Sequence, residues 1–117
     1  MANPFVHLEL NTTDLKKAQA FYGGMFGWKF DDMNMGAGIY STFKPDSGPG
    51  GGMYSAPDMP RGWQAYVGVD DIKAATAKAK SLGAEIHTDS QEIPTVGWMT
   101  IMSDPTGVRA AMFQPKK

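Results

Sequence analysis

Residues 5–28 read FVHLELNTTDLKKAQAFYGGMFGW, and the change of period inside this stretch decides the fold. Val6, Leu8 and Leu10 alternate with Phe5, His7 and Glu9, and a strand turns successive side chains to opposite faces. One face is aliphatic; the other carries a histidine with a carboxylate two residues on. NTTD then supplies N-cap candidates, Thr12 or Thr13, ahead of Asp14. Leu15, Ala18, Tyr22 and Met25 recur at i, i+3, i+7 and i+10, a helical stripe. Gly23 and Gly24 weaken the end of that helix, and Gly27 reads as a turn or C-cap residue. The stretch is a strand followed by a helix.

Working outward, WKF at 28–30 begins a strand, and AGIYSTFK at 37–44 is another, with Tyr40 and Thr42 on one face. Met33 and Met35 between them read as a loop. PDSGPGGG is turn-forming, GMYSA at 52–56 a fourth strand, and PDMPRG at 57–62 a linker. GPGGGM lacks the GK[ST] and the following helix of a phosphate loop. The second half restarts the program. WQAYVGV at 63–69 alternates, Asp70 and Asp71 are N-cap residues, and Ile72, Ala75, Ala79 and Leu82 repeat the helical spacing up to Gly83. AEIHT is a short strand, GWMTIMSD at 97–104 a longer one, DPTG a turn and VRAAMFQ the last strand. An offset of 57 places Asp14 on Asp71, Leu15 on Ile72 and His7 on Gln64, and Met53 falls over Met112 near the ends. One βαβββ unit occurs twice, about 4–57 and about 62–115, within a single 1–117 domain. With strands outnumbering helices, the expected class is α+β, with a curved mixed sheet and the helices outside it.

Composition removes several classes of function. The 117 residues are 42% hydrophobic and 20% charged with a net charge of −1, an ordinary globular balance. No run of Lys or Arg marks a nucleic-acid footprint, so no nucleic-acid partner is expected. No apolar stretch approaches the ~20 residues of a membrane helix, so no membrane partner is expected either. MANPFVHLEL lacks the basic and apolar regions of a secretory signal, and a cytoplasmic location is the plain expectation. Without cysteine there is no disulfide, thiolate metal site or cysteine nucleophile.

The 5–28 stretch, with its central His, Asp seven residues on and AFY…FGW, resembles the opening of the vicinal oxygen chelate superfamily of glyoxalases, bleomycin-resistance proteins and extradiol dioxygenases. YVGVDDIKAATAKAKSLGAEI through DPTGVRAAMFQP is similar to that family's second module. GPGGGM and EIPTVGWMTIMSDPTG resemble its branch of predicted lactoylglutathione-lyase-related proteins. The resemblance implies two βαβββ modules forming a cup that holds a divalent metal and a small substrate, commonly in a homodimer.

The same resemblance places the family's metal ligands at His7, Gly52, Gln64 and Ala111. Only His7 is a good donor for a divalent ion; Gln64 is a weak neutral oxygen donor, and glycine and alanine offer none. The expected protein is therefore a family member without the metal and without another cofactor. It binds a small organic molecule through Phe5, His7, Glu9, Gln64, Tyr66, Trp98, Arg109 and Phe113. Phe5, Tyr66 and Phe113 follow from alternation with His7 and Gln64, and Arg109 shares a face with Ala111 and could clamp an anion. The alternative is a lyase or isomerase using His7 or Glu9 as general base, with or without a metal. Tyr66, opposite Glu9 in the repeat, is the candidate to orient that carboxylate.

Overall fold

A computed structural model describes residues 2–36 and 38–116. Ala37, at the expected start of the third strand, and the terminal residues Met1 and Lys117 lie outside the described residues. The chain divides into two compact units, His7–Trp63 and Met1–Val6 with Gln64–Lys117. Across them the element succession is β-α-β-β-β, twice, which makes the class α+β. No helix among the described residues is long and apolar enough to cross a membrane.

In the His7–Trp63 unit the elements are β1 (Phe5–Asn11), α1 (Leu15–Phe26), β2 (Phe30–Asn34), β3 (Ile39–Phe43) and β4 (Gly50–Tyr54). The strand order is β2-β3-β4-β1. The β2/β3 and β3/β4 pairs are antiparallel; β4/β1 is parallel, as the crossover through α1 requires. The aliphatic face of β1 does what its alternation predicts. Leu10 is buried with Phe43 and Met53, and Leu15, Ala18 and Tyr22 of α1 pack on that cluster with Trp28 and Phe30. Burying a side chain such as Leu10 contributes about 1.5–3 kcal/mol. Trp28 lies flat on Phe43, with ring centroids 4.5 Å apart.

Four expectations change here. The N-cap of α1 is Asp14 itself: it is extended, and its carboxylate accepts from Lys17 N–H at 3.1 Å, satisfying an amide that neither Thr12 nor Thr13 reaches. Gly27 closes α1 in the left-handed conformation, φ 72°, as expected. Met25, fourth in the helical stripe, is 60% exposed, because it lies past the cluster that Tyr22 reaches. Met33 belongs to β2 rather than to a loop, paired with Tyr40 across the ladder. The glycine-rich Gly50–Gly52 is a strand rather than a turn. Asp32 of β2 accepts from Gln19 Nε2 and Ser41 Oγ, both at 2.7 Å; these bonds, Ser41 foremost, hold its carboxyl below the usual range.

In the other unit the elements are β5 (Gly62–Gly68), α2 (Ile72–Ser81), β6 (Glu85–Ile93), β7 (Gly97–Ser103) and β8 (Arg109–Pro115), in the order β5-β8-β7-β6. The β5/β8 pair is parallel and the β8/β7 and β7/β6 pairs antiparallel. Gly68 N–H donates to Pro4 O at 2.7 Å, attaching the N-terminal residues here. Each face of this sheet has its own cluster. Val69, Ile72 and Met112 pack with Ala75, Trp98 and Met102, while Tyr66, Ile101 and Ala111 pack with Met99 and Phe113. Asp71 caps α2 as expected, accepting from Ala74 N–H. Leu82 is its C-cap, and Gly83 follows at φ +100°, a conformation that costs glycine little. The AEIHT strand extends through Ile93, with register shifts between Ile86 and Thr88 and between Thr88 and Gln91. Thr76 and Thr100, both buried, share a 2.7 Å hydrogen bond between α2 and β7.

Candidate functional site

The polar face of β1 meets a tyrosine that the sequence does not single out. Glu9 stands opposite Gly52 on the parallel β1/β4 ladder, and Gly52 stands opposite Thr42 on the β4/β3 ladder. Tyr40, two residues before Thr42, therefore shares its face of the sheet. Its ring lies over Gly52: a Cβ added there would fall inside the van der Waals envelope of the Tyr40 hydroxyl and ring carbons. Any larger residue at 52 would displace the ring.

The absent side chain puts the Tyr40 hydroxyl between the two candidates from β1. It donates to Glu9 Oε2 at 2.8 Å and lies 2.9 Å from His7 Nε2. His7 Nε2 and Glu9 Oε2 are 4.0 Å apart. A phenol carries one proton, and an ionised carboxylate only accepts. With the phenol proton given to Glu9, the hydrogen-bond pattern assigns the other proton to His7 Nε2, which donates to the phenol oxygen. Burial lowers the pKa of His7 below its ordinary 6.5, and the charge of Glu9 acts in the opposite direction. His7 is therefore predominantly neutral at pH 7, and the trio forms a hydrogen-bonded chain from imidazole through phenol to carboxylate. Tyr54 flanks it, its ring stacked on Tyr40 with centroids 6.2 Å apart.

The remaining sequence-derived candidates lie in the other unit. Tyr66 is buried against Ile101, Ala111, Met99 and Phe113, and its hydroxyl approaches Met99 Sδ at 3.9 Å. Gln64 Nε2 donates to the Ala65 carbonyl at 3.1 Å. Arg109 is half-buried opposite Ser103. Phe5 is 64% exposed. Trp98 is not on the side of Tyr66 and Phe113. It packs with Ile72 and Ala75 of α2, and Lys116 Nζ lies 5.2 Å from its ring centroid. Along β7, Met99 and Ile101 join the Tyr66 cluster, so alternation sends Trp98 and Thr100 to the helix side. The structure thus groups His7 with Glu9, and Tyr66 with Phe113, while separating Trp98 from the latter pair.

Sequence reasoning missed Tyr40 as the group joining His7 to Glu9; the available signal was a glycine at the repeat-related position 52. It also missed Asn11. Only 2% exposed, Asn11 donates through Nδ2 to the carbonyls of Ala56, Met59 and Pro60 and accepts at Oδ1 from Ala56 N–H and Arg61. These bonds pin residues 56–61, the expected linker. A separate open cleft of about 410 Å³ at the start of α1 is lined by Leu10, Asn11, Lys17, Phe21, Tyr22 and Arg61 among others; His7, Glu9 and Tyr40 do not line it.

The donor chemistry does not fit the divalent metal that the resemblance implies. Tyr40 fills the space in front of Gly52, and Ala111 is 1% exposed within an apolar cluster. Among the described residues, no three His, Cys, Asp or Glu side chains gather closely enough to hold an ion.

The family model described as Glyoxalase/Bleomycin resistance protein/Dioxygenase superfamily matches residues 5–112. A protein of Mycobacterium bovis named "Putative glyoxylase CFP32" is 30% identical over 117 residues, covering 94% of this chain and 45% of its own. The anthracycline biosynthesis protein DnrV of Streptomyces peucetius is 27% identical over 126 residues, covering 91% and 45%. The chain thus spans about half the length of these curated relatives. The crystal structure of methylmalonyl-CoA epimerase from Mycobacterium tuberculosis superposes with a TM-score of 0.75 at 16% identity, covering 97% of this chain and 88% of that one, a likeness of fold.

Proposed function

Since the chain belongs to the glyoxalase/bleomycin resistance protein/dioxygenase superfamily, we propose that it binds a small organic molecule whose polar group is received by His7, Tyr40 and Glu9 rather than by a divalent metal. The observation that carries this reading is the Tyr40 hydroxyl held between imidazole and carboxylate. A ligand carbonyl or hydroxyl could exchange hydrogen bonds with this trio, and Tyr54 offers an aromatic surface beside it. The name of DnrV ties one relative to anthracycline biosynthesis, which puts an anthracycline among the compounds to test. The test is calorimetric titration against a panel of small hydroxy- and oxo-compounds that includes an anthracycline. Binding weakened roughly tenfold or more in His7→Ala supports the assignment. Binding unchanged in His7→Ala and Glu9→Gln, or no binder in the panel, refutes it.

A second reading is proton-transfer chemistry of the lyase or isomerase kind. The specific observation in its favour is the unbroken chain from a neutral imidazole to a carboxylate, in which one end takes a proton while the other keeps its charge. Turnover of a panel compound that is abolished in His7→Ala or Glu9→Gln while the fold survives would select this reading over simple binding. The homodimer and the cytoplasmic setting expected from the sequence belong to the same proposal; sedimentation at micromolar concentration tests the first, and cell fractionation the second.

A further inference from the structure

We infer that Gly52 and Tyr40 are a matched pair that keeps metal out of this site: the missing side chain at 52 admits the Tyr40 ring, and the ring's hydroxyl engages the two atoms, His7 Nε2 and Glu9 Oε2, that would have to bind an ion. The inference rests on the reading of these three side chains as the ligand-receiving centre, and it concerns what built that centre.

A divalent ion such as zinc binds an imidazole nitrogen at about 2.0–2.1 Å and a carboxylate oxygen at about 2.0–2.2 Å. His7 Nε2 and Glu9 Oε2 are 4.0 Å apart, somewhat wider than the roughly 3.4 Å between two such ligands on a tetrahedral ion. A small side-chain adjustment would let one ion bridge them. The phenol hydroxyl is hydrogen-bonded to both atoms, so His7 Nε2 keeps a proton and Glu9 Oε2 a donor that an ion would have to displace. An uncharged hydroxyl joins the same two groups without neutralising the carboxylate.

Position 52 bears on the same centre. It stands opposite Glu9 on the parallel ladder, so a side chain there would project toward the same centre. The space is available to residue 52 or to the Tyr40 ring, and Tyr40 has it. A carboxylate introduced at 52 in place of the ring would convert the proton-sharing trio into a site with one imidazole and two carboxylates, which suits a first-row divalent ion. The metal preference of this unit is thus set by one glycine and one tyrosine 12 positions apart, while His7 and Glu9 stay unchanged.

The experiment has two arms. The first is cobalt(II) titration followed by visible absorption and calorimetry. Wild type is expected to show no His7-dependent cobalt binding. Tyr40→Ala/Gly52→Glu is expected to bind one ion, and to lose it when His7→Ala is added. Tyr40→Ala alone is expected to bind more weakly, through His7 and Glu9. The second arm is thermal stability. Gly52→Ala is expected to lower Tm by roughly 10 °C, as overpacking would. Adding Tyr40→Ala should recover much of that loss; adding Tyr40→Phe, which keeps the ring, should not.

Stoichiometric His7-dependent cobalt binding by wild type would overturn the inference, as would Gly52→Ala as stable as the parent. A folded Tyr40→Ala or double variant with no gain in cobalt affinity would do the same. If neither variant folds, the stability arm decides through Gly52→Ala and its pairing with Tyr40→Phe. Failure of the organic-ligand panel leaves these outcomes untouched, so the two readings fail separately.

Discussion

The Tyr40 hydroxyl donates to Glu9 Oε2 at 2.8 Å, joining a residue of β3 to one of β1 across the glycine strand that separates them. The bond spans β4 because Gly52 leaves nothing in its path. A carboxylate that is only 18% exposed gains a donor by this route, and the His7 imidazole a partner.

Tyr40→Phe tests that bond directly. The ring stays and the proton is lost, so a half-buried carboxylate loses a donor. The expected cost is about 1–3 kcal/mol, read as a lower urea midpoint with an unchanged slope. A midpoint equal to that of the parent would show that water satisfies Glu9 equally well.

Acid should weaken the fold through His7. Its native pKa lies below the ordinary 6.5 because burial disfavours the imidazolium. The unfolded state therefore binds the proton more readily. The stabilisation is complete above about pH 6.5 and is lost as pH falls through the lower native value. His7→Gln should flatten the Tm profile in that window, before the carboxylates begin to titrate. A profile of unchanged slope in the variant would assign the acid sensitivity to other groups.

Thr100→Val should cost more than an average surface change, about 1–3 kcal/mol. Thr100 Oγ1 accepts from Ser90 N–H at 3.0 Å and shares a hydrogen bond with Thr76. Removing it leaves Ser90 N–H without its acceptor and takes from Thr76 Oγ1 one of two bonds, the other being its donation to Ile72 O at 2.7 Å, in a region where α2 packs on β7. Thr76→Val/Thr100→Val should cost less than the sum of the two single changes, because both single changes break the same Thr76–Thr100 bond; denaturant titration of the four proteins measures the coupling.

Asn11→Ala should release residues 56–61. The carbonyls of Met59 and Pro60 lose the Asn11 donor, the Ala56 carbonyl keeps only Met59 N–H, and the Ala56 amide loses its acceptor. The expected result is a loss of roughly 2–4 kcal/mol and faster tryptic cleavage after Arg61 under native conditions. Cleavage at the parental rate would show the segment is held by other contacts.

Much of this molecule is legible from local periodicity. Val6, Leu8 and Leu10 alternate, and Leu10 is buried in the core of its unit, while Leu15, Ala18 and Tyr22 recur at helical spacing and become the inner side of α1, because side-chain direction follows directly from backbone period. The repeat joining Asp14 to Asp71 and Leu15 to Ile72 therefore led to two βαβββ successions, and the same alternation put His7 and Glu9 on one face. Tertiary structure alone decided what they meet. Tyr40 is 31 residues from Glu9, and only the ladder order β3-β4-β1 with Glu9 opposite Gly52 brings its hydroxyl between them. For Trp98 the period was right but the side was open: alternation says that Trp98 and Thr100 face together, and the packing of α2 says where. Asn11 follows the same rule, since its bonding partners lie 45 to 50 residues away. Period is a property of neighbours along the chain, whereas a site is made by neighbours across it.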